Sequence, residues 1–328
     1  MLNPSPADLQ LVAQPVAHEA ASRGFAADMA RALASRPRSI SPKYFYDARG
    51  SQLFDAICEL PEYYPTRTEL AILRSHVSEI AEQMGPRAEI VEFGAGSCLK
   101  VALLLDAMER PERYLPIDIS GEHLAASVAE LRERYPEVDV QPVVADYTQR
   151  LLLPAPLPGA GRRVGFFPGS TIGNFTPAEA LHFLQVAGQV LRGGALLLGA
   201  DLIKDPGVLH AAYNDAQGVT AAFNLNLLAR ANRELGADFV LQQFAHSAFY
   251  NAPQQRIEMH LVSRCRQQVT LAGQAHEFDE GETLHTENSY KFTIDGLRSL
   301  AERAGFRAGP VWTDPQSMFS LHWLSAPS

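Results

Sequence analysis

Glu89-Ile-Val-Glu-Phe-Gly-Ala-Gly-Ser-Cys-Leu-Lys100 is a short apolar run that stops at a glycine-rich turn. Ile90, Val91 and Phe93 are β-prone, and the apolar residues resume at helical spacing from Val101 to Met108, so the glycines lie between a strand and a helix. Gly94 and Gly96 let a backbone approach a ligand where a Cβ would collide. A tight βα turn without a ligand is the lesser alternative for the pair, and the surrounding chain has to decide.

Downstream of the turn the pattern is regular. Strands are expected over 114–117, ending at Asp118, over 138–145, ending at Asp146 and Tyr147, over 164–167, and over 195–202. Helices are expected over 121–135 and 176–191, with a Pro-rich loop over 151–161. Strands alternating with helices of this length imply an α/β fold, a mostly parallel sheet covered on both faces. Upstream, a helix over 17–33 precedes the aromatic segment Ser41-Pro-Lys-Tyr-Phe-Tyr-Asp-Ala-Arg-Gly50 and a short helix over 53–57. Residues 60–69 read as a loop, capped by Thr66 or Thr68 ahead of a helix ending near Met84. From Lys204 the rhythm breaks: helical stretches within 207–235 give way to strand-like runs over 244–251 and 256–264. A helix over 293–304 and closing runs over 305–312 and 318–324 return to the first sheet.

A formal charge of -9 without clustered Lys or Arg argues against a nucleic-acid face. Nowhere do eighteen apolar residues run together, and the opening Met-Leu-Asn-Pro-Ser-Pro-Ala-Asp lacks a basic stretch followed by an apolar one, so no membrane association and a cytoplasmic location are expected. Cys58, Cys98 and Cys265 match neither a disulfide framework nor a zinc pattern, which fits a reducing compartment. The ten histidines give no pair at ligand spacing, no metal is expected, and His285 is expected to face solvent. Nothing in the chain indicates an obligate protein partner.

A dinucleotide turn reads G-x-G-x-x-G, and here Leu99 stands at the third glycine position. Asp118, 24 residues after Gly94, is placed to accept from two ribose hydroxyls, which suits NAD and S-adenosylmethionine equally. Asp146 and Tyr147 favour the second, since an adenine needs an acceptor for its amino group and a flat surface to lie on. This arrangement resembles the class I S-adenosylmethionine-dependent methyltransferases, which have a Rossmann-like sheet. The resemblance narrows with Lys43-Tyr-Phe-Tyr-Asp47, Leu60-Pro-Glu-Tyr-Tyr-Pro-Thr-Arg-Thr-Glu69, Gly169-Ser-Thr-Ile-Gly-Asn174, Gly199-Ala-Asp-Leu-Ile-Lys-Asp205, Ala222-Phe-Asn224 and Thr286-Glu-Asn-Ser-Tyr-Lys-Phe292. Together these are similar to the histidine Nα-methyltransferases of ergothioneine biosynthesis.

That resemblance implies a cofactor domain over 67–203 and 292–328 and a discontinuous α+β substrate domain over 1–66 and 204–291. It implies that Gly94, Lys100, Asp118, Asp146 and Tyr147 hold S-adenosyl-L-methionine. Tyr46, Tyr63, Gly169, Asn174, Tyr213, Thr220, Met259, Glu287 and Ser289 would surround L-histidine, with Tyr46, Asn174 and Tyr213 closest to the chemistry. Tyr147 stands where relatives carry Phe, and Asn288 where an apolar residue is common, at the edge of the substrate pocket. The residue types suit the role. Glu287 and Ser289 are two apart, so on an extended segment both face one way and can meet the two ring nitrogens of an imidazole. Met259 shares a strand face with Ile257 and Leu261, and core packing accounts for it as well as substrate contact does. The expected product is the trimethylated betaine. The alternatives are the same scaffold acting on another amino acid such as tryptophan, and a non-catalytic module that binds S-adenosylmethionine.

Overall fold

The computed structural model describes residues 14–328 except 97 and 150, and side chains from residue 24 on except those at 122 and 123. The opening residues, Ser97 of the glycine turn and Arg150 therefore lie outside the described residues. After helix α1 (Gln14–Ala34) come strand β1 (Arg38–Ser39), α2 (Ala48–Glu59) and α3 (Tyr64–Met84). The alternating section is β2 (Glu89–Phe93), α4 (Leu99–Ala107), β3 (Arg113–Asp118), α5 (Gly121–Arg134), β4 (Asp139–Val140), β5 (Val143–Val144), β6 (Arg163–Phe167), α6 (Pro177–Val190) and β7 (Ala195–Asp201). Next come α7 (Pro206–Tyr213), α8 (Val219–Leu235), β8 (Phe244–Asn251), β9 (Arg256–Ser263), β10 (Gln267–Leu271), β11 (Gln274–Phe278) and β12 (Thr283–Tyr290). The chain ends in α9 (Ile294–Arg303), β13 (Arg307–Thr313) and β14 (Phe319–Ser325).

The large sheet has the order β13-β14-β7-β6-β2-β3-β4, with β5 also on β3. Only β14 runs against the rest, pairing antiparallel with both β7 and β13. This is the class I methyltransferase fold. Its strands are nearly continuous apolar runs because both faces are covered. One buried cluster joins α3, α4 and α5 to the sheet through Ile72, Leu73, Val101, Leu105, Leu124 and Val128. The other joins α6 and α9 through Phe183, Leu184, Leu297 and Ala301. Strand order reverses between β2 and β6, which is where an open α/β sheet leaves a crevice at its carboxyl ends.

A second sheet, β1-β12-β9-β8, stands beside that crevice. A third apolar cluster gathers Phe25, Met29, Phe45 and Leu53 from the beginning of the chain with Leu209, Phe223, Ile257, Leu261 and Leu284 from the later part. The parallel pairing of Arg38 with Leu284 and Ser39 with His285 inserts the early segment into this sheet as an edge strand. The two sheets touch through backbone: Leu202 bridges Phe292, and the main chain at Gly173 sits against Tyr290 so closely that a Cβ there would lie 2.8 Å from the Tyr290 carbonyl oxygen.

Several local expectations need correction. The third strand is interrupted into β4 and β5, because Pro142 has no N–H to give the ladder, although Gln141 still donates to the Tyr114 carbonyl at 2.9 Å. Helix α3 begins at Tyr64, ahead of both threonines; Pro65 supplies the first turn, and Thr68 bonds back to the Tyr64 carbonyl instead of capping. The early short helix extends back to Ala48, where Asp47 accepts from the Gly50 N–H. The β10–β11 hairpin has no counterpart in the sequence expectations, although Ala272 and Gly273, both at positive φ, form the two-residue turn that joins such strands. Among the described residues no helix is long and apolar enough to cross a membrane.

Candidate active site

The β2 turn begins with Gly94 at φ 76°, its N–H donating to the Ile117 carbonyl at 2.8 Å. A side chain there would be strained, and its Cβ would also meet the Tyr147 hydroxyl at 3.5 Å. At Gly96 the space is open. The register aligns Phe93 with Ile117 and Asp118 with Val144, so the ends of β2, β3 and β5 lie side by side and carry Gly94, Asp118, Asp146 and Tyr147 into one crevice.

The Asp118 carboxylate accepts from the Ser120 N–H at 2.8 Å, fixing it in a turn at the strand end. Asp146 accepts from the Thr148 N–H and hydroxyl on one oxygen and from Lys43 on the other at 2.9 Å. A carboxylate has room for about four such bonds, so one more remains for an amino group. Tyr147 stands edge-on to Phe93, Phe167 and Phe183. Leu99, in place of a third glycine, opens α4 and is 64% exposed. Lys100 ion-pairs at 2.6 Å with the buried Glu69, whose carboxylate also accepts from the Gly169 N–H at 2.9 and 3.1 Å. These residues fit an adenosyl group in kind: the Asp118 and Asp146 carboxylates are the acceptors that ribose hydroxyls and an adenine amino group require, and the space at Gly96 is open.

A cleft enclosing about 600 Å³, its open mouth included, lies between the crevice and the second sheet. Tyr46, Tyr63, Gly169, Asn174, Tyr213, Thr220, Met259, Glu287 and Ser289 all line it, so the structure brings every sequence-predicted substrate residue together. Each element has a local cause. Ser170 in the left-handed conformation starts the 3-10 turn Thr171–Asn174, which presses onto β12 at Gly173 and delivers Asn174. Glu287 and Ser289 pair with Met259 and Ile257 across β9, which puts them on one face and Asn288 on the other, opposite Glu258. Asn288 is thus not a residue of the pocket edge. Tyr46, Tyr63, Phe54 and Phe223 form an edge-to-face aromatic wall, and Tyr213 meets Tyr63 at 6.5 Å between centroids.

Burial pushes the Glu287 carboxyl up to about 7, with Lys291 acting in the opposite sense. The Tyr46 phenol is lifted well above its ordinary value, first by burial and then by Glu287, Tyr147 and Asp118, so it lies within electrostatic reach of both ligand regions. Glu92 on β2, buried beneath the turn, is also raised to about 7 by burial, while Tyr114 donates to it.

The floor of the cleft is the part that sequence reasoning misses. Asp201, at the end of β7, accepts from Tyr64, from Lys204 at 2.5 Å and from Lys291 at 2.9 Å. Lys291 in turn donates to Ser289 at 2.7 Å and to the Tyr213 hydroxyl at 3.4 Å. Lys291 and Asp201 fall inside the segments 286–292 and 199–205, but nothing in one sequence brings them together across 90 positions. Glu92 has a visible signal, an acid in the middle of an apolar strand.

His285 is not solvent-facing: its ring stacks on His260 at 4.7 Å, and it bonds the Glu287 carbonyl at 3.0 Å. Glu258, His260 and His285 bring ligand atoms within 4.8 Å of one another. The two rings are stacked at 23°, however, so their planes do not converge on a common ion.

Residues 25–326 match the model of the S-adenosylmethionine-dependent, histidine-specific methyltransferases. The chain is 43% identical to a histidine N-alpha-methyltransferase of Mycolicibacterium smegmatis over 316 residues, covering 94% of this chain and 97% of the relative. It is 30% identical to ergothioneine biosynthesis protein 1 of Neurospora crassa, covering 88% of this chain and 33% of that longer protein. It is 25% identical to 4-dimethylallyltryptophan N-methyltransferase of Claviceps purpurea, covering 87% and 90%.

Proposed function

Because the chain belongs to the S-adenosylmethionine-dependent, histidine-specific methyltransferases, we propose that it methylates the α-amine of L-histidine to the trimethylated betaine, within ergothioneine biosynthesis. The observation that carries the reading is the pairing of Glu287 and Ser289 on one face of β12, inside the cleft that also holds Asn174 and Tyr213. A carboxylate and a hydroxyl side by side match the N–H and the bare nitrogen of an imidazole. Asn174 and Tyr213 offer neutral bonds for the carboxylate or amine of the substrate, while Thr220 and Met259 shape its walls.

Gly94, Asp118, Asp146 and Tyr147 would cradle S-adenosylmethionine, with Lys100 at the junction of the two ligand regions through Glu69 and Gly169. When bound, that group supplies an electrophilic methyl carbon. The chain's own task is to hold the unprotonated amine in line with it and to accommodate the cation that results. The aromatic wall of Tyr46, Phe54, Tyr63 and Phe223 suits that task, since ring faces stabilise methylated ammonium groups that have lost their N–H donors. We assign residues 1–66 and 204–291 to a substrate domain and 67–203 with 292–328 to a cofactor domain; the apolar cluster shared by the early and later segments supports this. The three cysteines are free, in keeping with a cytoplasmic site of action. No protein or nucleic-acid partner is part of this reading.

The Claviceps relative raises tryptophan derivatives as the competing substrate class. An indole has one N–H and no bare ring nitrogen, so it would leave Ser289 or Glu287 unmatched. The test is mass spectrometry of the purified protein with S-adenosylmethionine and each amino acid in turn. Successive methyl additions to histidine are expected; turnover of tryptophan in preference to histidine, or of nothing, overturns the reading.

A further inference from the structure

The buried ions beneath the cleft have no part in holding the substrate as described so far, and their arrangement is unusual. Lys291, Lys204 and Asp201 are nearly or wholly withdrawn from water, with side-chain exposures of 1%, 9% and 1%. Two ammonium groups share one carboxylate, and Tyr64 adds a neutral donor to it. Lys291, Lys204 and Asp201 by themselves sum to one positive charge, with Glu287 facing Lys291 and Asp314 facing Lys204, at low dielectric, where a charge acts over longer range than it does at the surface. Asp201 and Lys291 both line the cleft, and Lys291 is the member that bonds Ser289 and Tyr213 there. Its three N–H groups go to Asp201, to the Ser289 oxygen and to the Tyr213 oxygen.

An ammonium can only donate, so both hydroxyl oxygens must accept from it. Tyr213 in turn donates to Ser289 at 2.7 Å, as the more acidic hydroxyl of the pair. With Lys291 and Tyr213 both aimed at its oxygen, Ser289 has filled its acceptor sites and keeps only its own proton for a ligand. If a substrate carboxylate draws the Tyr213 proton away, the Lys291 bond still occupies one acceptor site and its charge still repels any N–H brought to the other.

We propose that Lys291 is a specificity-determining residue that makes Ser289 a hydrogen-bond donor toward the cleft, so that the substrate ring is bound only as neutral imidazole, its bare nitrogen at Ser289 and its N–H at Glu287. The proposal deepens the histidine reading and rests on it. The charged and titratable groups facing this cluster are Lys291 and Glu287 on β12 and its end, Asp201 and Lys204 at the end of β7, Tyr64 on α3, Tyr213 on α7, and Asp314 after β13, which acts on Lys204. Lys291 acts through Ser289 and by its field, and it contacts no reacting atom.

The experiment is nitrogen NMR of ring-labelled L-histidine bound to the full-length protein with S-adenosylhomocysteine, at pH 6, where free imidazole is substantially protonated. On the wild type the expected spectrum has one bare and one protonated ring nitrogen. A doubly protonated bound ring overturns the proposal without any variant being needed. In Lys291→Met, Ser289 regains an acceptor site and the local charge falls, so the bound ring is expected to become doubly protonated; Lys291→Arg should keep it neutral. If Lys291→Met binds S-adenosylhomocysteine like the wild type and still holds a neutral ring, Lys291 does not set the polarity. Failure of the histidine reading itself would appear differently, as no bound histidine signal and no turnover by the wild type.

Discussion

Glu287→Gln should make the protein more stable at alkaline pH and a poorer histidine enzyme. The carboxyl is almost fully buried, and burial lifts it from an ordinary 4.5 to about 7. Between those values the native state holds a proton that the unfolded chain has lost, so this group's contribution is fully present below about 4.5 and is lost as pH rises through about 7. A lift of that size corresponds to roughly 3 kcal/mol of native-state destabilisation at pH 8. Glutamine keeps the shape and carries no such penalty. Urea unfolding of the ligand-free protein should therefore show the variant and wild type nearly equal at pH 4.5 and the variant ahead by about 3 kcal/mol at pH 8. Function moves the other way. Replacing a charge-assisted bond to the ring N–H by a neutral one forfeits roughly 1 to 2 kcal/mol, about 5- to 30-fold in kcat/KM for histidine. A stability difference that does not change with pH would show that Glu287 is not raised, and an unchanged kcat/KM would show that it does not read the imidazole.

Glu287→Ala removes the bond and opens space, so the ratio of kcat/KM for histidine over tryptophan should fall by about 10- to 100-fold, and a smaller residue at Met259 should extend the trend; an unchanged ratio would detach both residues from substrate choice. Asp118→Ala should weaken S-adenosylmethionine binding by roughly 1.5 to 3 kcal/mol in calorimetry, because two ribose hydroxyls lose a charged acceptor; unaltered affinity in the folded variant would take Asp118 out of the site. In Gly173→Ala the new Cβ would lie 2.8 Å from the Tyr290 carbonyl oxygen, so stability should drop by about 1 to 3 kcal/mol and KM for histidine should rise while S-adenosylmethionine affinity holds; equal losses for both ligands would mean that the turn does not position Asn174 separately.

What can be read from the sequence divides along a physical line. Gly94, Asp118 and Asp146 are legible because each stands at the end of a strand whose neighbour is fixed by right-handed βαβ connection, so position along the chain gives position in space. Glu287 and Ser289 are legible through the two-residue period of an extended segment, because the register shift of β12 falls before them, between His285 and Glu287. Lys291 and Asp201 are not, because their meeting depends on two sheets docking at Leu202 and Phe292, a contact with no local periodicity. The start of α3 is hidden for a related reason: Pro65 sets the first turn one residue ahead of the threonines, and the bond that Tyr64 makes there to Asp201 is a tertiary contact with no local signal.

The same docking explains why one cleft can combine a rigid reader with an adjustable wall. Asn174, Glu287 and Ser289 are set by main-chain contacts, with Gly173 against Tyr290 and the β9–β12 ladder behind, and such positions cannot drift without breaking backbone bonds. The main chain of Met259 stands on that same ladder, but its side chain and those of the aromatic wall are placed by packing, which tolerates changes of shape at a cost of about 1 to 3 kcal/mol. Relatives with different substrates can therefore keep the strand and vary the wall. On the proposed reading, the charge beneath Ser289 is what would make the reader specific for a ring with one bare nitrogen. Substitution at Met259 alone should then change how large a side chain is accepted while leaving the preference for a neutral imidazole intact.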